Sequence, residues 1–359
     1  LLHSFKISAT FTGHKEPSLQ EMKVSVVILN WNGKKFLSDF LPKVIAYSKD
    51  IATVIVADNA STDDSVSFLK QTFPEIRIIQ NPENGGFAKG YNDALKQVES
   101  DYFILLNSDV EVSPGWIEPL LARLEADQQI GAAQPKMLDY YKRDHFEYAG
   151  AAGGFIDSLG YPFCRGRIFS SLEKDNGQYN TDAEIFWATG ACMMVRAEVF
   201  KKLGGFDEEY FAHMEEIDLC WRIRHAGYKI ICCPASAVYH VGGGTLPKSN
   251  SRKTYLNFRN NLITVYKNSL GKGLLLKILG RLILDGVAAL KFLIEGHPKD
   301  FLAVAKAHFY FYRTIPKQRK KRKAIQKNIC DPDQTYIFPK SIVSAFYLRG
   351  IQKFSDLNW

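Results

Sequence analysis

Residues 102–112 read YFILLNSDVEV. Five apolar or aromatic residues, Tyr102 to Leu106, run without a break into Asn107-Ser108-Asp109, and Val110 resumes the apolar pattern. A continuous apolar run of this length predicts a strand covered on both faces, as in a parallel sheet. A solvent turn would account for three small polar residues at its end. The alternative is a carboxylate, Asp109, placed at the carboxyl end of a central strand, where open parallel sheets bind ligands.

Upstream, the pattern repeats. VSVVILN (24–30), TVIVAD (53–58) and IRIIQN (76–81) are strand-like, and each is followed by a segment of helical spacing: GKKFLSDFLPKVIAYS, NASTDDSVSFLKQTF with capping residues at its start, and GGFAKGYNDALKQV. With YFILLN as the fourth strand, the βαβαβαβ order predicts an α/β fold with a mostly parallel, doubly wound sheet. Every strand ends in polar residues: Asn30-Trp31-Asn32, Asp58-Asn59, Asn81 to Asn84, and Asn107-Ser108-Asp109. Downstream the pattern is mixed. WIEPLLARLEAD reads as a helix, GAAQPKML, EIFWATGACMMVR and KIICCPASAVYHV as strands, and EVFKKLGGF as a helix closed by glycine. FAHMEEIDLCWRIRHAGY predicts a helix with three carboxylates in its first turn, Asp218 and Arg222 forming an intrahelical pair.

The net charge of +8 conceals an asymmetry. Residues 248–327 carry 19 Lys/Arg against 3 Asp/Glu, a balance of +16, so the remainder of the chain stands at −8. Within GLLLKILGRLILDGVAALKFLIEG (273–296), Lys277, Arg281, Asp285, Lys291 and Glu295 recur on one stripe. The spacing predicts an amphipathic helix lying in a membrane interface or buried against partner helices, and the recurring charge argues against a bilayer span. AHFYFYRTIPKQRKKRKAIQK then sets aromatics beside a basic run, a composition suited to anionic headgroups. Residues 1–21 have no period and precede Met22, which reads as a non-native extension or upstream-frame sequence. The division expected is 22–247 for the α/β domain and 248–359 for a basic, amphipathic, helical, membrane-associating region. Six cysteines without CxxC spacing, most of them in apolar runs such as IICCPA, predict reduced core residues and a cytosolic setting.

Taken in order, VSVVILNWNG, VIVADNASTDDS, NGGFAKGYNDAL, LLNSDV, ATGACMMVRAEVFKKLGGFDE and MEEIDLCWRIRHAGY with AVYH resemble glycosyltransferase family 2, over about residues 23 to 247. The nearest likeness is to its bacterial rhamnosyl- and galactofuranosyltransferase-like branch. The resemblance implies the GT-A fold and inverting transfer from a nucleotide sugar, UDP- or dTDP-linked, to a hydroxyl of a glycan acceptor. With the basic tail, it implies a lipid-linked acceptor in surface polysaccharide synthesis, at the inner face of the bacterial cytoplasmic membrane.

The resemblance also implies residue roles. Asp109 takes the last position of a DxD-type motif and becomes a ligand of Mg²⁺ or Mn²⁺, with His240 as second ligand. Asn107 stands where many members carry Asp, which lowers the charge of the site. The nucleotide sugar is expected along Asn30, Trp31, Asp58, Asn59, Asn84, Gly85, Phe87, Asn107 and Ser108, with Lys89 and Asn92 near diphosphate or sugar. Trp187, Thr189 and Gly190 match the segment between donor and acceptor. The base that accepts the acceptor's proton is Glu215, preferred over Glu216. A nucleotidyltransferase would place a Gly-rich phosphate loop after the first strand, and NWNGKKF is a poor version of one. A catalytically silent membrane-bound partner of a glycosyltransferase complex is the alternative outside enzymes, to which Asn107 gives some weight. Nucleic acid is not an expected partner, because RKKRK adjoins amphipathic helices.

Overall fold

The computed structural model describes residues 22–242, 250–271, 273–330 and 335–359. The extension expected at 1–21 and the boundary at 247/248 lie outside them. Four strands, β1 (Val24–Asn30), β2 (Thr53–Asp58), β3 (Arg77–Gln80) and β4 (Tyr102–Asn107), lie parallel in the order β3-β2-β1-β4. Helices α1 (Lys34–Ser48), α2 (Ser65–Thr72) and α3 (Gly86–Leu95) are the crossovers between them. Alternation along the strands decides which face each residue serves. Val26, Ile28, Ile104 and Leu106 pack with Leu37 and Leu41 of α1 and Leu69 of α2. Val27, Phe103 and Leu105 pack with Ala88, Tyr91 and Leu95 of α3 on the other face. Both faces are covered, so the strands are apolar throughout.

Beyond β4 the sheet becomes mixed. It continues through β12 (Cys192–Arg196), β6 (Ile130–Asp139), β13 (Lys229–His240) and β11 (Ala183–Glu184), with β5 (Val110–Val112) pairing on β13 to complete nine strands. β12 runs antiparallel to both neighbours, and β13 runs parallel to β6. Helix α4 (Glu118–Ala126) covers one face; α5 (Ala197–Lys202) and α6 (Glu215–His225) cover the other. A second sheet holds β7 (Gly154–Asp157), β8 (Pro162–Cys164), β9 (Arg167–Ile168), β10 (Ser171–Leu172) and β14 (Ile337–Phe338). The expected α/β architecture is therefore present, its large central sheet parallel from β3 to β4 and mixed beyond, with a helical C-terminal part.

Two local expectations are corrected. EIFWATGACMMVR is not one strand: its ends belong to β11 and β12, and residues 185–191 between them make only an isolated bridge, Trp187 to Gly154. Asp64, the N-cap of α2, makes no side-chain cap and pairs with Lys34 instead; Asp63 accepts the Ser65 amide at 3.0 Å.

The helical layer consists of α7 (Ser251–Asn268), α8 (Leu274–Ile294), α9 (Pro298–Gln326) and the short α10 (Ile342–Arg349). It has its own core of Leu262, Ile263, Val265, Ile278 and Phe311, which includes Tyr210 from the α/β part. Buried charges join the two parts. Lys267 of α7 reaches Asp218 of α6 at 3.0 Å and also Asp207, while Lys321 of α9 binds Asp207 and Glu209 at 2.6–2.7 Å. Two members of the RKKRK run thus face inward, since Arg322 donates to the carbonyls of Tyr266 and Ser269. The polar stripe of α8 also turns inward: Arg281 and Asp285 are buried and the apolar face is outside. A water-facing polar stripe, as an interfacial helix standing alone would have, is not what the structure shows.

Candidate functional site

Parallel register brings the polar strand ends together. Asn30 lies opposite Asp58 and Leu29 opposite Asn107. The buried Asn30 amide donates to Asp58 at 3.1 Å, and the other Asp58 oxygen accepts the Ser61 amide at 3.0 Å. Asn30 keeps its own Oδ1 buried without a hydrogen-bond partner. A buried acceptor costs free energy unless a ligand or water satisfies it. Trp31 stands exposed beside this pair. Asn59 donates to Asn84 and to the carbonyl of Gly86, both at 3.0 Å. Gly86 has φ +77°, and a Cβ there would come within 2.3 Å of the Phe211 carbonyl, so only glycine fits.

Asp109, just past β4, and His240, at the end of β13, are both buried, with His240 Nε2 3.2 Å from Asp109 Oδ1. On the other side of the ring, Nδ1 lies 3.3 Å from Glu147 Oε1. Burial alone would hold His240 neutral. Flanking carboxylates of Glu147 and Asp109 outweigh it and raise the imidazole well above its ordinary value. The pocket therefore favours positive charge, and Asp109 with His240 is an oxygen–nitrogen pair that fits a divalent cation. Among the described residues no group of three His, Cys, Asp or Glu side chains is placed to hold a metal ion.

The other half of the site is the amino end of α6. The backbone leading into it has positive φ at Phe211 (65°), His213 (70°) and Met214 (72°), an uncommon run for residues with side chains. Asn260 of α7 holds it, donating to the carbonyls of Tyr210, Ala212 and His213 at 3.0, 2.9 and 2.7 Å. Glu215 and Glu216 follow. Burial, joined by repulsion from Glu216, raises the Glu215 carboxyl well above the carboxylate range. Burial also pushes the half-buried Glu216 up to about 7. Both keep one oxygen, Oε2, buried and unpartnered. Gly190 connects the two halves. A Cβ on it would meet Phe87 at 3.0 Å and Glu216 Cβ at 3.6 Å, and the next residue, Ala191, accepts the Asn107 amide at 2.9 Å. Thr189 is fixed beside it by a 2.9 Å bond from its amide to the buried Gln134.

Other expected site residues have partners within the protein. Trp187 is a core residue: its indole N–H donates to the Phe155 carbonyl at 2.9 Å under Gly154. Asn92 is tied to both backbone groups of Phe206, at 2.9 and 3.0 Å, and fastens that loop to α3. Lys89 pairs with Asp93 of its own helix and, at 3.7 Å, with Glu83 of the loop before it. Phe87 packs edge-on against Tyr91 and Phe206. Asp218 pairs with Arg222 at 2.9 Å as expected. Glu147, Gln134 and Asn260 were not anticipated, because each acts on a residue more than 40 positions away and has no local motif.

Residues 25–204 match the family model described as Glycosyl transferase family 2. An N-acetylglucosaminyl-diphospho-decaprenol L-rhamnosyltransferase of Mycobacterium tuberculosis is 28% identical over 233 residues, 60% of this chain and 75% of that protein. The rhamnosyltransferase WbbL of Escherichia coli K12 is 23% identical over 226 residues, 60% of this chain and 83% of that one. Among solved structures, S. aureus TarS 1-349 in complex with UDP-GlcNAc has a TM-score of 0.53 at 15% identity, covering 89% of this chain and 99% of that chain. GalNAc-T7 with UDP, GalNAc and Mn²⁺ has a TM-score of 0.55 at 18% identity, covering 68% of this chain and 48% of that one, about half its length. At these identities the structural likeness is one of fold.

Proposed function

The chain belongs to glycosyl transferase family 2, and from that premise we propose that it transfers a sugar, with inversion, from a UDP- or dTDP-sugar to a hydroxyl of a lipid-linked glycan acceptor. The protein would work peripherally at the inner face of a bacterial cytoplasmic membrane, in surface polysaccharide synthesis. The observation that carries this reading is that residues 190–191 lie between two unlike centres: Gly190 packs beside Glu216 of the carboxylate pair at the start of α6, and the Ala191 carbonyl accepts the backbone amide of Asn107, two residues before Asp109 of the cation-favouring pair with His240. The rhamnosyltransferase relatives and the UDP-bound fold neighbours support the substrate class.

In this reading Asp58, Asn30 and Trp31 bind the nucleoside, with Asn59 and Asn84 shaping the loop beside it. Asp109 and His240 would hold a Mg²⁺ or Mn²⁺ ion, whose charge would offset that of the diphosphate leaving group. Glu216, rather than the preferred Glu215, takes the proton from the acceptor hydroxyl. Burial pushes its carboxyl up to about 7 and its Cβ lies beside Gly190, whereas Glu215 is nearly inaccessible. A base poised near the working pH is the efficient choice. Thr189 and Gly190 form the floor between donor and acceptor.

The test is a panel of UDP- and dTDP-sugars assayed for turnover with added Mn²⁺, on the wild type and on Asp109→Ala and Glu216→Gln. Turnover of one donor by the wild type, and its loss in both folded variants, is the expected result. Equal activity in all three would overturn the assignment.

A further inference from the structure

Helix α8 is turned inside out relative to a helix at a water interface. Its buried residues are Ile278, Arg281, Asp285 and Ala289. Arg281 bonds Asp285 at 3.2 Å and lies 3.5 Å above the Tyr161 ring, while the Tyr161 hydroxyl donates to Asp285 at 3.1 Å and His308 of α9 stands 3.3 Å from it. On the opposite side, Leu276, Leu279, Ile283, Val287, Leu290 and Ile294 recur at helical spacing and are 52–86% exposed. Contiguous bare apolar surface of this kind marks an interaction site. The helix cannot rotate to hide it, because rotation would expose an apolar face to the protein's buried ions and drag Arg281 and Asp285 from their partners.

Charge identifies what covers the face. Across residues 273–327 the exposed charged side chains are nine Lys/Arg, from Lys291 to Lys327, and a single acid, Glu295. Exposed Leu302, Phe309 and Tyr312 of α9 lie among these cations. Aliphatic ridge, aromatic side chains and cations together are the chemistry of a surface that enters the headgroup region of an anionic bilayer. No helix among the described residues is long and apolar enough to cross a membrane.

The geometry points to α8 as a membrane-docking ridge that lies flat in the anionic lipid interface and is coupled to the acceptor side of the site. The coupling runs through one turn. Tyr161 and Asp157 hold the β7–β8 turn against α8, and the Gly160 carbonyl of that turn accepts from Asn261 of α7 at 2.9 Å. Asn261 also touches Met214, the residue before Glu215. Docking would therefore fix the amino end of α6 relative to the lipid surface, a consequence that rests on the transfer reading above. The docking itself does not.

The full chain is centrifuged with vesicles of phosphatidylcholine alone, or of phosphatidylcholine and phosphatidylglycerol in equal parts. The wild type is expected to sediment with the anionic vesicles, less with neutral ones, and less again as salt is raised. A triple variant, Leu279→Glu with Ile283→Glu and Leu290→Glu, changes exposed side chains only, so it keeps its circular dichroism and its transfer to a water-soluble acceptor. Its vesicle partition is expected to fall by about tenfold or more. Wild-type protein that stays in the supernatant with both vesicles overturns the proposal, as does a variant that sediments undiminished. A wild-type dimer that the variant converts to monomer, without vesicle binding, overturns it in favour of a second copy on this face. Loss of transfer with docking intact would remove the enzymatic reading and leave the ridge standing.

Discussion

Glu216 is half-buried and its neighbour Glu215 nearly inaccessible, and burial raises both carboxyls, so each weighs on the folded state in the same direction. A carboxylate raised from 4.5 to about 7 binds a proton in the folded state that it releases when unfolded. The folded state is therefore penalised as pH climbs from the unfolded value through 7. Glu216→Gln removes the penalty, so its melting temperature at pH 8 should exceed that of the wild type, by about 1–3 kcal/mol of stability at most. The same change should lower kcat about 100-fold to 10,000-fold if Glu216 is the base. Wild-type kcat should rise with pH through about 7 and level off above it. A Glu216→Gln protein that is both active and unstabilised would refute the assignment, and the base would then be sought at Glu215. At Asp109 the prediction is read on the metal: Asp109→Ala should weaken Mn²⁺ binding, followed by electron paramagnetic resonance, by about tenfold or more. Glu147→Gln should weaken it less, because that carboxylate reaches the ion only through His240. The sequence presents Asp109 plainly, as a charge ending an apolar run. It is silent on Glu147, whose partner lies 93 positions on, and on the choice between adjacent glutamates, which burial decides.

Among the elements, β1 to β4 were legible because strands buried on both faces are apolar at every position, and Val26 and Val27 serve opposite cores. Residues 185–191 were misread for the same reason: Ile185, Phe186, Trp187 and Ala188 are buried and apolar without being paired in a strand. The wheel of α8 revealed two faces, and which one meets the protein was settled by Tyr161 and His308, far away in sequence. The junction of α6 with α7 carries its own prediction. Asp218 is wholly buried between Arg222, Lys267 and Asn268. Burial would raise the carboxyls of Asp218 and Asp207, but the cations Lys267, Arg222 and Lys321 around them hold both below their ordinary value. A depressed carboxylate stabilises the fold above its unfolded pKa and stops doing so as pH falls through the folded one. Lys267→Met leaves buried negative charge behind and should cost about 3–5 kcal/mol in urea unfolding at pH 7. The deficit should shrink toward about pH 3, where the carboxylates of the unfolded chain are protonated. A deficit that does not change with pH would mean that packing, not charge, holds the junction.

On the scale of the whole molecule, the change of composition near residue 248 suggests a detachable appendage, and the structure argues against one. Asn260 satisfies three carbonyls of the loop that carries Met214 into α6, and Arg259 donates to the carbonyls of Glu209 and Tyr210 at 2.9 Å. Tyr210 itself is buried in the core of the helical layer. Four carbonyls, those of Glu209, Tyr210, Ala212 and His213, the carboxylates of Asp207 and Glu209, and the Tyr210 ring would lose these partners together if the chain ended after β13. Each unsatisfied buried polar group costs about 1–3 kcal/mol, and a domain has only about 5–15 kcal/mol in hand. A protein truncated near residue 250 should therefore not form a rigid native state, although the whole family match, residues 25–204, lies within it. It should retain far-ultraviolet circular dichroism, lose near-ultraviolet signal and bind a hydrophobic dye, as expanded states do. It should have no transferase activity even on a soluble acceptor. A cooperative thermal transition with activity in the truncated protein would show that the basic region is an accessory. Its absence would mean that the helices facing the lipid also complete the active site, and that docking is separable from catalysis only by substitution on the outer face of α8.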